Sequence, residues 1–458
     1  MLHKSVTSAS TSVRAFVALF IAAALCVVAA GCSGGSGGGG GDDKTLNILT
    51  WETYDDPAWL DQFTEDTGIK VNAVNVGSPA KVKANPDQFD VALVTSGWFD
   101  NYASAGLLEP IDSSKVTNAP NPGFDWKSVA SSGGKQYGVL YNWGDQPLAW
   151  LDGSIPNSPE LAKYLDAQGR PNDWNILWDP AFTGKVSVFD DPTSVMPMIP
   201  LALGFTDPYH LSPDQFQQMQ DKLNALRPQI KRLTSGFNDQ ATQFTNGEAT
   251  IGYLNIISEV PMLEKSGKKL DVNHQVKQGV PAWSDNYSIT KGGAKKADSV
   301  YKFINYTMEV PWQARFIAAT GNSGSLSLQQ AQSPDAVKSG LTPDLLNASL
   351  IPATAGGEEF FKGLKFFQSV EDLSKRIDVW NQFRLGMPLS STHLSPRCEG
   401  SGHPFGGSSP LVVQGRRPSR KHRVTRPSRA MPPRLRQQAI SAVVLMGLIP
   451  IEGVGVGV

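Results

Sequence analysis

Cysteine is scarce in this sequence of 458 residues. The three cysteines are Cys26, Cys32 and Cys398, so residues 44–386, called the body below, contain none. The body can therefore form no intrachain disulfide. Thiol catalysis and cysteine-based zinc sites are excluded there as well.

Histidine is also rare, since only two of the six histidines, His210 and His274, lie in the body. Both stand among polar residues, and we expect both to be surface side chains. A Ser-His-Asp enzyme or a multi-histidine metal site is difficult to build from so few imidazoles. We therefore expect no catalytic residue, no metal site and no cofactor.

The apolar run over residues 15–30 is too short for a comfortable membrane span. It follows Lys4 and Arg14 and ends in small residues, which is typical of an export signal. Ala29-Ala30-Gly31-Cys32 resembles the lipobox of bacterial lipoproteins, in which the cysteine is lipidated and becomes the new N-terminus. We expect residues 1–32 to be signal and lipobox, with Cys32 as the lipid site, and residues 33–43 to be a flexible Gly/Ser tether. The alternative is an ordinary signal with a chance cysteine.

The net charge of −1 averages two different regions. Residues 387–458 carry ten basic residues against two acidic ones, whereas residues 42–386 carry 29 basic against 40 acidic. The acidic body argues against nucleic-acid binding and favours attraction of cations. The low-complexity basic tail could be an arm that contacts anionic lipid or nucleic acid, or an unstructured extension without function, and we expect the latter.

Strand and helix patterns alternate along the first part of the body. Residues 46–51 are typical of a buried strand, Asp56-Pro57 opens a helix, and residues 69–74 and 89–94 are two further strands. This order predicts a parallel α/β sheet, in which ligands bind beyond the carboxyl ends of the strands. The residues that follow such ends are Trp51, Thr95, Ser96 and Trp98.

The pattern repeats farther along, with strands at residues 185–189 and 249–254 and a helix that begins at Ser212-Pro213. A body of this length is too large for one simple core. The sequence therefore predicts two α/β lobes.

Five segments resemble, in order and spacing, the extracellular solute-binding proteins of bacterial ABC importers, in particular their spermidine/putrescine branch. The segments are LNILTWETYDDPAWLDQFTEDTGIKV (46–71), FDVALVTSGWFDNYASAGLLEPID (89–112), YNWG (141–144), WNILWDPAFTGKVSVFDD (174–191) and WSDNYSITKGGAKKADSVYKFINY (283–306). The resemblance extends over residues 44–386, about three-quarters of the chain.

This resemblance implies an α/β fold of the type II periplasmic-binding-protein kind, with two lobes joined by a hinge and a ligand cleft between them. Lobe 1 is expected at residues 44–142 plus about 286–325, and lobe 2 at residues 143–285 plus about 326–386. It implies a lipid-anchored protein on the periplasmic or cell-surface side of the membrane that delivers a polyamine or similar small cation to ABC permease subunits. No catalysis is implied, and we expect a monomer that binds no nucleic acid.

A polyamine presents ammonium groups separated by methylene runs, so its site needs carboxylates at intervals and aromatic faces between them. The resemblance assigns five residues to the ligand: Trp51, Tyr54, Asp191, Trp283 and Asp285. Core packing is the alternative for the two tryptophans, helix capping before Pro192 for Asp191, and a structural role for Asp285.

Several positions depart from the family pattern and remain candidate ligand contacts. Ser194 replaces a second acid, Asn255 replaces a tryptophan, and Thr95-Ser96-Gly97 replaces a Ser-x-Tyr, with Trp98 as a substitute aromatic. Asn322 stands where the family often has tyrosine. These changes weaken the case for a long, triply charged ligand and leave a diamine, another organic cation or a polar solute open.

Other functions remain as alternatives. A binding protein for iron or thiamine belongs to neighbouring branches, although iron would need clustered tyrosines. A secreted hydrolase could use Asp190 and Asp285 as paired carboxylates. An adhesion or signalling module could keep the fold without transport.

Overall fold

The protein is described by a computed structural model over residues 44–51, 53–75 and 87–387. These residues lie in the first of two structural units, and the second unit, Leu394–Val458, falls outside them. The predicted signal, Cys32, the tether and all of the basic tail except Met387 are likewise outside the described residues.

Two mixed β-sheets organise the described residues. The larger sheet contains β1 (Thr45–Thr50), β2 (Lys70–Asn75), β3 (Val91–Thr95), β4 (Leu108–Glu109), β7 (Val139–Asp145), β13 (Val280–Thr290) and β14 (Leu364–Phe366). The smaller sheet contains β8 (Leu148–Leu151), β9 (Val186–Phe189), β10 (Ile230–Thr234), β11 (Ile251–Tyr253) and β12 (Leu270–Asn273). A separate hairpin pairs β5 (Ser131–Ser132) with β6 (Lys135–Gln136). We call the regions around the two sheets the larger-sheet lobe and the smaller-sheet lobe.

Helices cover both sheets. They are α1 (Pro57–Thr67), α2 (Phe99–Ser104), α3 (Trp126–Val129), α4 (Pro192–Val195), α5 (Met198–Ala202), α6 (Pro213–Ala225), α7 (Phe237–Thr245), α8 (Glu259–Lys265), α9 (Lys291–Ala294), α10 (Ala297–Thr307), α11 (Val310–Thr320), α12 (Leu328–Ala331), α13 (Pro334–Lys338), α14 (Pro343–Asn347), α15 (Gly357–Lys362) and α16 (Leu373–Leu385). No helix among the described residues is long and apolar enough to cross a membrane.

The predicted parallel pairing is confirmed for the first three strands, because β1 pairs in parallel with both β2 and β3. The complete sheet is mixed, since β13 lies antiparallel to β3. Helix α1 joins β1 to β2 and begins where the sequence indicates. The Asp56 carboxylate accepts a hydrogen bond from the Ala58 N–H, and Gly68 ends the helix in the left-handed conformation. The predicted start of α6 is also confirmed, since Ser212 and Gln215 form a capping box.

The chain crosses between the two sheets twice. It leaves the larger sheet at Asp145, enters the smaller one at Leu148, and returns between Asn273 and Val280. Strand β13 is buried along its whole length and pairs at once with β7 and β14. The return crossing ends before Trp283 and Asp285, so both residues stand on a strand of the larger sheet. The range expected for lobe 2 had included them.

His274 is not the surface side chain that its polar neighbours suggested. Its ring Nδ1 lies 2.8 Å from Oδ2 of the fully buried Asp145, and its side chain is 19% exposed. Asp145 ends β7 and His274 follows β12, so the pair joins the two crossing segments. The local sequence could not show this contact, because the partners are 129 positions apart. His210 is on the surface as predicted, beside Asp207.

Candidate functional site

The first part of the candidate site forms around Asp285, in the middle of β13. The strand register places Asp285 opposite Thr95 at the end of β3 and opposite Asn142 on β7. Thr95 Oγ1 donates to Asp285 Oδ1 over 2.6 Å, and the Tyr54 hydroxyl donates to Oδ2 over 3.0 Å. Asn142 Nδ2 donates in turn to the Tyr54 hydroxyl over 2.7 Å. Residues from three strands and the loop after β1 thus converge on one carboxylate.

This carboxylate is buried without a cationic partner among the residues that the structure describes. Asp285 is 4% exposed, and burial raises its pKa to about 6, although hydrogen bonds from Thr95, Tyr54 and Trp51 act in the opposite direction. Burial also raises the pKa of Tyr54 well above its ordinary value, and the nearby Asp285 charge adds to that shift. Within the described part of the chain no lysine, arginine or histidine forms an ion pair with Asp285. The site can therefore accept a positive charge.

Two tryptophans flank this carboxylate in different ways. Trp51 is 39% exposed, so core packing does not explain it, and its side chain acts on the Asp285 carboxyl and lowers the pKa of that group. Trp283 is 8% exposed and its ring lies against the backbone of Gly144. A Cβ atom at Gly144 would stand only 2.6 Å from Trp283 Cζ2, so the glycine makes room for the ring. The surroundings of Asp285 thus include one exposed indole, that of Trp51, and one buried indole, that of Trp283.

Ser96 and Trp98 follow β3 and have different surroundings. Ser96 is fully buried, and its hydroxyl accepts a hydrogen bond from the Ser284 N–H over 3.0 Å, which fixes the end of β3 against β13. Trp98 is half-buried and lines a small cavity with Thr193, Tyr209 and Gln368. That cavity includes residues of both lobes.

On the smaller-sheet lobe, Asp191 caps a short helix. Its Oδ1 accepts from both the Thr193 N–H and the Thr193 hydroxyl, each over 2.8 Å, at the start of α4. Burial raises the pKa of Asp191, and the hydrogen bonds from Thr193 and Ser194 oppose that rise. The capping alternative is therefore correct for one oxygen of this carboxylate, and a ligand contact through the other stays a prediction.

Ser194 and Asn255 are brought together through two residues that the sequence analysis did not single out. Ser194 Oγ lies 3.0 Å from the Tyr253 hydroxyl. Gln146 Nε2 lies 3.3 Å from that hydroxyl and 3.3 Å from Asn255 Oδ1. Gln146 belongs to the outgoing crossing, so this network reaches from the smaller sheet to the hinge.

The structure thus forms two polar groups, one around Asp285 and one around Tyr253. Asn142 belongs to the first group, and Gln146 and Tyr253 belong to the second. Sequence reasoning missed all three residues because strand register and crossings decide their contacts. Asn142 was visible only as part of the YNWG segment.

The paired-carboxylate alternative loses support. Asp190 accepts a hydrogen bond from Trp380 Nε1 over 2.8 Å and pairs with Arg384 at 3.2 Å, so α16 neutralises it. A carboxylate held by arginine is poorly suited to act as nucleophile or base. No group of three or more potential metal ligands occurs among residues 44–51, 53–75 and 87–387.

Comparison with known proteins places this geometry in context. Residues 58–341 match the family described as bacterial extracellular solute-binding protein. The spermidine/putrescine-binding periplasmic protein of Escherichia coli strain K12 is 26% identical over 284 residues, which cover 61% of this chain and 76% of that protein. The putrescine-binding periplasmic protein SpuD of Pseudomonas aeruginosa is 25% identical over 284 residues, covering 58% and 74%.

Solved structures agree on the fold. The spermidine/putrescine ABC transporter substrate-binding protein PotD of Streptococcus pneumoniae has a TM-score of 0.57 at 22% identity, and the match covers 75% of this chain and 99% of that one. The expected fold class is confirmed: this is a type II periplasmic-binding-protein fold with two α/β lobes joined by a hinge.

Proposed function

The chain belongs to the bacterial extracellular solute-binding proteins, and on that premise we propose that it binds a diamine or similar polyamine between its lobes for an ABC importer. The observation that carries the proposal is the buried Asp285 carboxylate, which has hydroxyl and indole donors around it but no cationic partner among the described residues. An ammonium group would supply the missing charge.

Aromatic side chains near Asp285 suit the methylene part of such a ligand. Trp51 and Trp283 offer indole faces, and Tyr54 holds the carboxylate in place through its hydroxyl. Each aromatic face attracts a desolvated cation by about 0.5–2 kcal/mol. Relatives named for spermidine and putrescine binding support the same ligand class.

The smaller-sheet lobe favours a short ligand over a long one. Ser194 and Asn255 give hydroxyl and amide groups where the spermidine/putrescine branch has an acid and a tryptophan. The proposed ligand contacts are therefore Trp51, Tyr54, Asp191, Trp283 and Asp285, with Thr95, Ser96, Trp98, Ser194 and Asn255 completing the cleft.

Calorimetry of the chain without its signal tests this proposal. We expect putrescine to bind with heat release and to raise the melting temperature, and spermidine to bind more weakly because the long triamine lacks a third charged partner. 4-Aminobutyrate serves as a comparison, since its carboxylate would meet Asp191 or Asp285 with like charge. Absence of heat and of thermal stabilisation with both amines would remove the assignment.

We further propose that Cys32 carries a lipid anchor that keeps the binding protein beside its permease. The lipobox resemblance and the Gly/Ser tether support this. In cells that express the full chain, we expect the protein in the membrane fraction, and Cys32→Ala should release it. Cys398→Ala is the matched control and should stay membrane-bound. Membrane association that survives Cys32→Ala would contradict lipidation at this residue.

A further inference from the structure

Asn142 is a buried amide beside the proposed ligand site, and both of its side-chain polar atoms form hydrogen bonds. It lies on β7 opposite Asp285 and is 0% exposed. Its Oδ1 accepts from the Gly324 N–H over 2.8 Å, and its Nδ2 donates to the Tyr54 hydroxyl over 2.7 Å. Tyr54 donates in turn to Asp285 Oδ2 over 3.0 Å. A chain of hydrogen bonds thus leads from a backbone N–H to the carboxylate.

The backbone N–H of Gly324 fixes the direction of this chain. An N–H group only donates, so the atom of Asn142 that faces Gly324 must be the amide oxygen. The amide nitrogen therefore faces Tyr54, and because this nitrogen cannot accept, the Tyr54 oxygen accepts from it. The hydroxyl proton of Tyr54 is then left for Asp285.

Gly324 is held in the position from which its N–H reaches Asn142. Its φ of 61° lies in the left-handed region, and a Cβ atom there would stand 2.5 Å from Gln313 Oε1. The Ser325 N–H donates to that same Gln313 oxygen over 2.9 Å, and Gln313 Nε2 donates to the Thr307 carbonyl over 2.9 Å. The start of the chain is therefore anchored to α10 and α11.

Packing holds the ring of Tyr54 but does not direct its hydroxyl proton. The ring lies edge-on to Phe316 at a centroid distance of 5.0 Å and tilted against Tyr141 at 5.5 Å. A hydroxyl hydrogen rotates to suit its partners, which among the described residues are Asn142 and Asp285. Burial and the Asp285 charge raise the pKa of Tyr54, and the hydrogen bond from Asn142 opposes that rise, which makes the hydroxyl a better donor.

We infer that Asn142 is a positioning residue of the ligand site: it directs the Tyr54 hydroxyl proton to Asp285 and so keeps this carboxylate as the acceptor for the ligand ammonium. This inference rests on the proposed function. Thr95 supplies a second donor, at Oδ1 over 2.6 Å. Two neutral donors stabilise the ionised carboxylate but leave its charge for a cation. Asn142 acts through Tyr54 and not through contact with the ligand.

A double-mutant cycle with Tyr54→Phe tests this role. In calorimetry at pH 7, Asn142→Leu should weaken putrescine binding by about tenfold, because the Tyr54 proton is no longer directed to Asp285. In the Tyr54→Phe protein, which has no hydroxyl proton, Asn142→Leu should change the affinity by less than about twofold. Asn224→Leu, at an exposed position on α6, is the matched control and should leave the affinity unchanged. Equal losses in both backgrounds, or no loss in either, would overturn the inference.

Asn142→Asp covers the case in which Asn142→Leu folds poorly, since a carboxylate keeps the shape and still accepts from Gly324. Its second oxygen can only accept, so it competes with Asp285 for the Tyr54 proton and adds a negative charge nearby. Carbon-13 NMR of the unliganded protein should show Asp285 titrating at about pH 6 in the wild type and about one pH unit higher in Asn142→Asp. The resonance is assigned by its absence from Asp285→Asn.

The same titration in the Tyr54→Phe background separates the proton from the added charge. Only the charge acts there, so the shift caused by Asn142→Asp should be smaller, and equal shifts in the two backgrounds would contradict the inference. The other ionisable groups that act on Tyr54 and its neighbour are Tyr141 and, through Tyr141, Asp55, and both stay unchanged. The titration needs no ligand. Failure of the wild-type protein to bind putrescine would instead remove the proposed function itself.

Discussion

Asp285→Asn should weaken diamine binding by roughly 150-fold, equivalent to about 3 kcal/mol. The substitution keeps the shape of the side chain and some of the hydrogen bonds from Thr95 and Tyr54, but removes the negative charge. The ligand ammonium would then be buried against a neutral amide and neutral hydroxyl groups, with no negative charge to offset its own. Calorimetry with putrescine measures the loss directly.

Two controls make this result specific. Asp298→Asn removes the same charge from a fully exposed side chain on α10, so it should leave the affinity unchanged. Thermal unfolding should show that the unliganded Asp285→Asn protein is at least as stable as the wild type, because an amide is less costly to bury than a carboxylate. Unchanged affinity in a folded Asp285→Asn protein would exclude Asp285 from the site.

Lowering the pH below 6 should weaken diamine binding by about tenfold for each pH unit. The unliganded Asp285 has a pKa of about 6 because it is buried, and the ligand binds its ionised form. Above pH 6 the carboxylate is already ionised, so affinity should be nearly constant. Below pH 6 a proton competes with the ammonium. The raised pKa of Asp191 would steepen this dependence.

The stability of the unliganded protein should change in the opposite direction. A folded-state pKa above the unfolded value of 3.8 means that the folded protein holds more protons between these values. The contribution of Asp285 to stability is therefore present at low pH and is lost as the pH rises towards 6. Titration calorimetry and thermal unfolding from pH 4.5 to 7.5 measure both trends, and a diamine affinity that does not vary over this range would contradict them.

The fold could be predicted to a large extent because its signals are local. The helix starts at Asp56-Pro57 and Ser212-Pro213 depend on neighbouring residues, and each stands where the sequence indicates. The extent of β13 was not visible, since a strand buried on both faces lacks the alternation of polar and apolar residues that marks an exposed strand. The pairing of Asp145 with His274 depended on the two crossings and could not be anticipated.

The candidate site was harder to predict because contacts between distant residues create it. Asp285 could be proposed from its Trp-x-Asp motif, but its hydrogen bonds to Tyr54 and Thr95 join residues 231 and 190 positions apart.

A crystal structure of the protein with putrescine tests the central claim most directly. The account predicts one ammonium group within hydrogen-bonding distance of Asp285, the methylene chain beside Trp51 and Trp283, and the second ammonium group on the side of Asp191. A diamine bound outside the cleft, or a cleft that holds an anion in place of the amine, would contradict it.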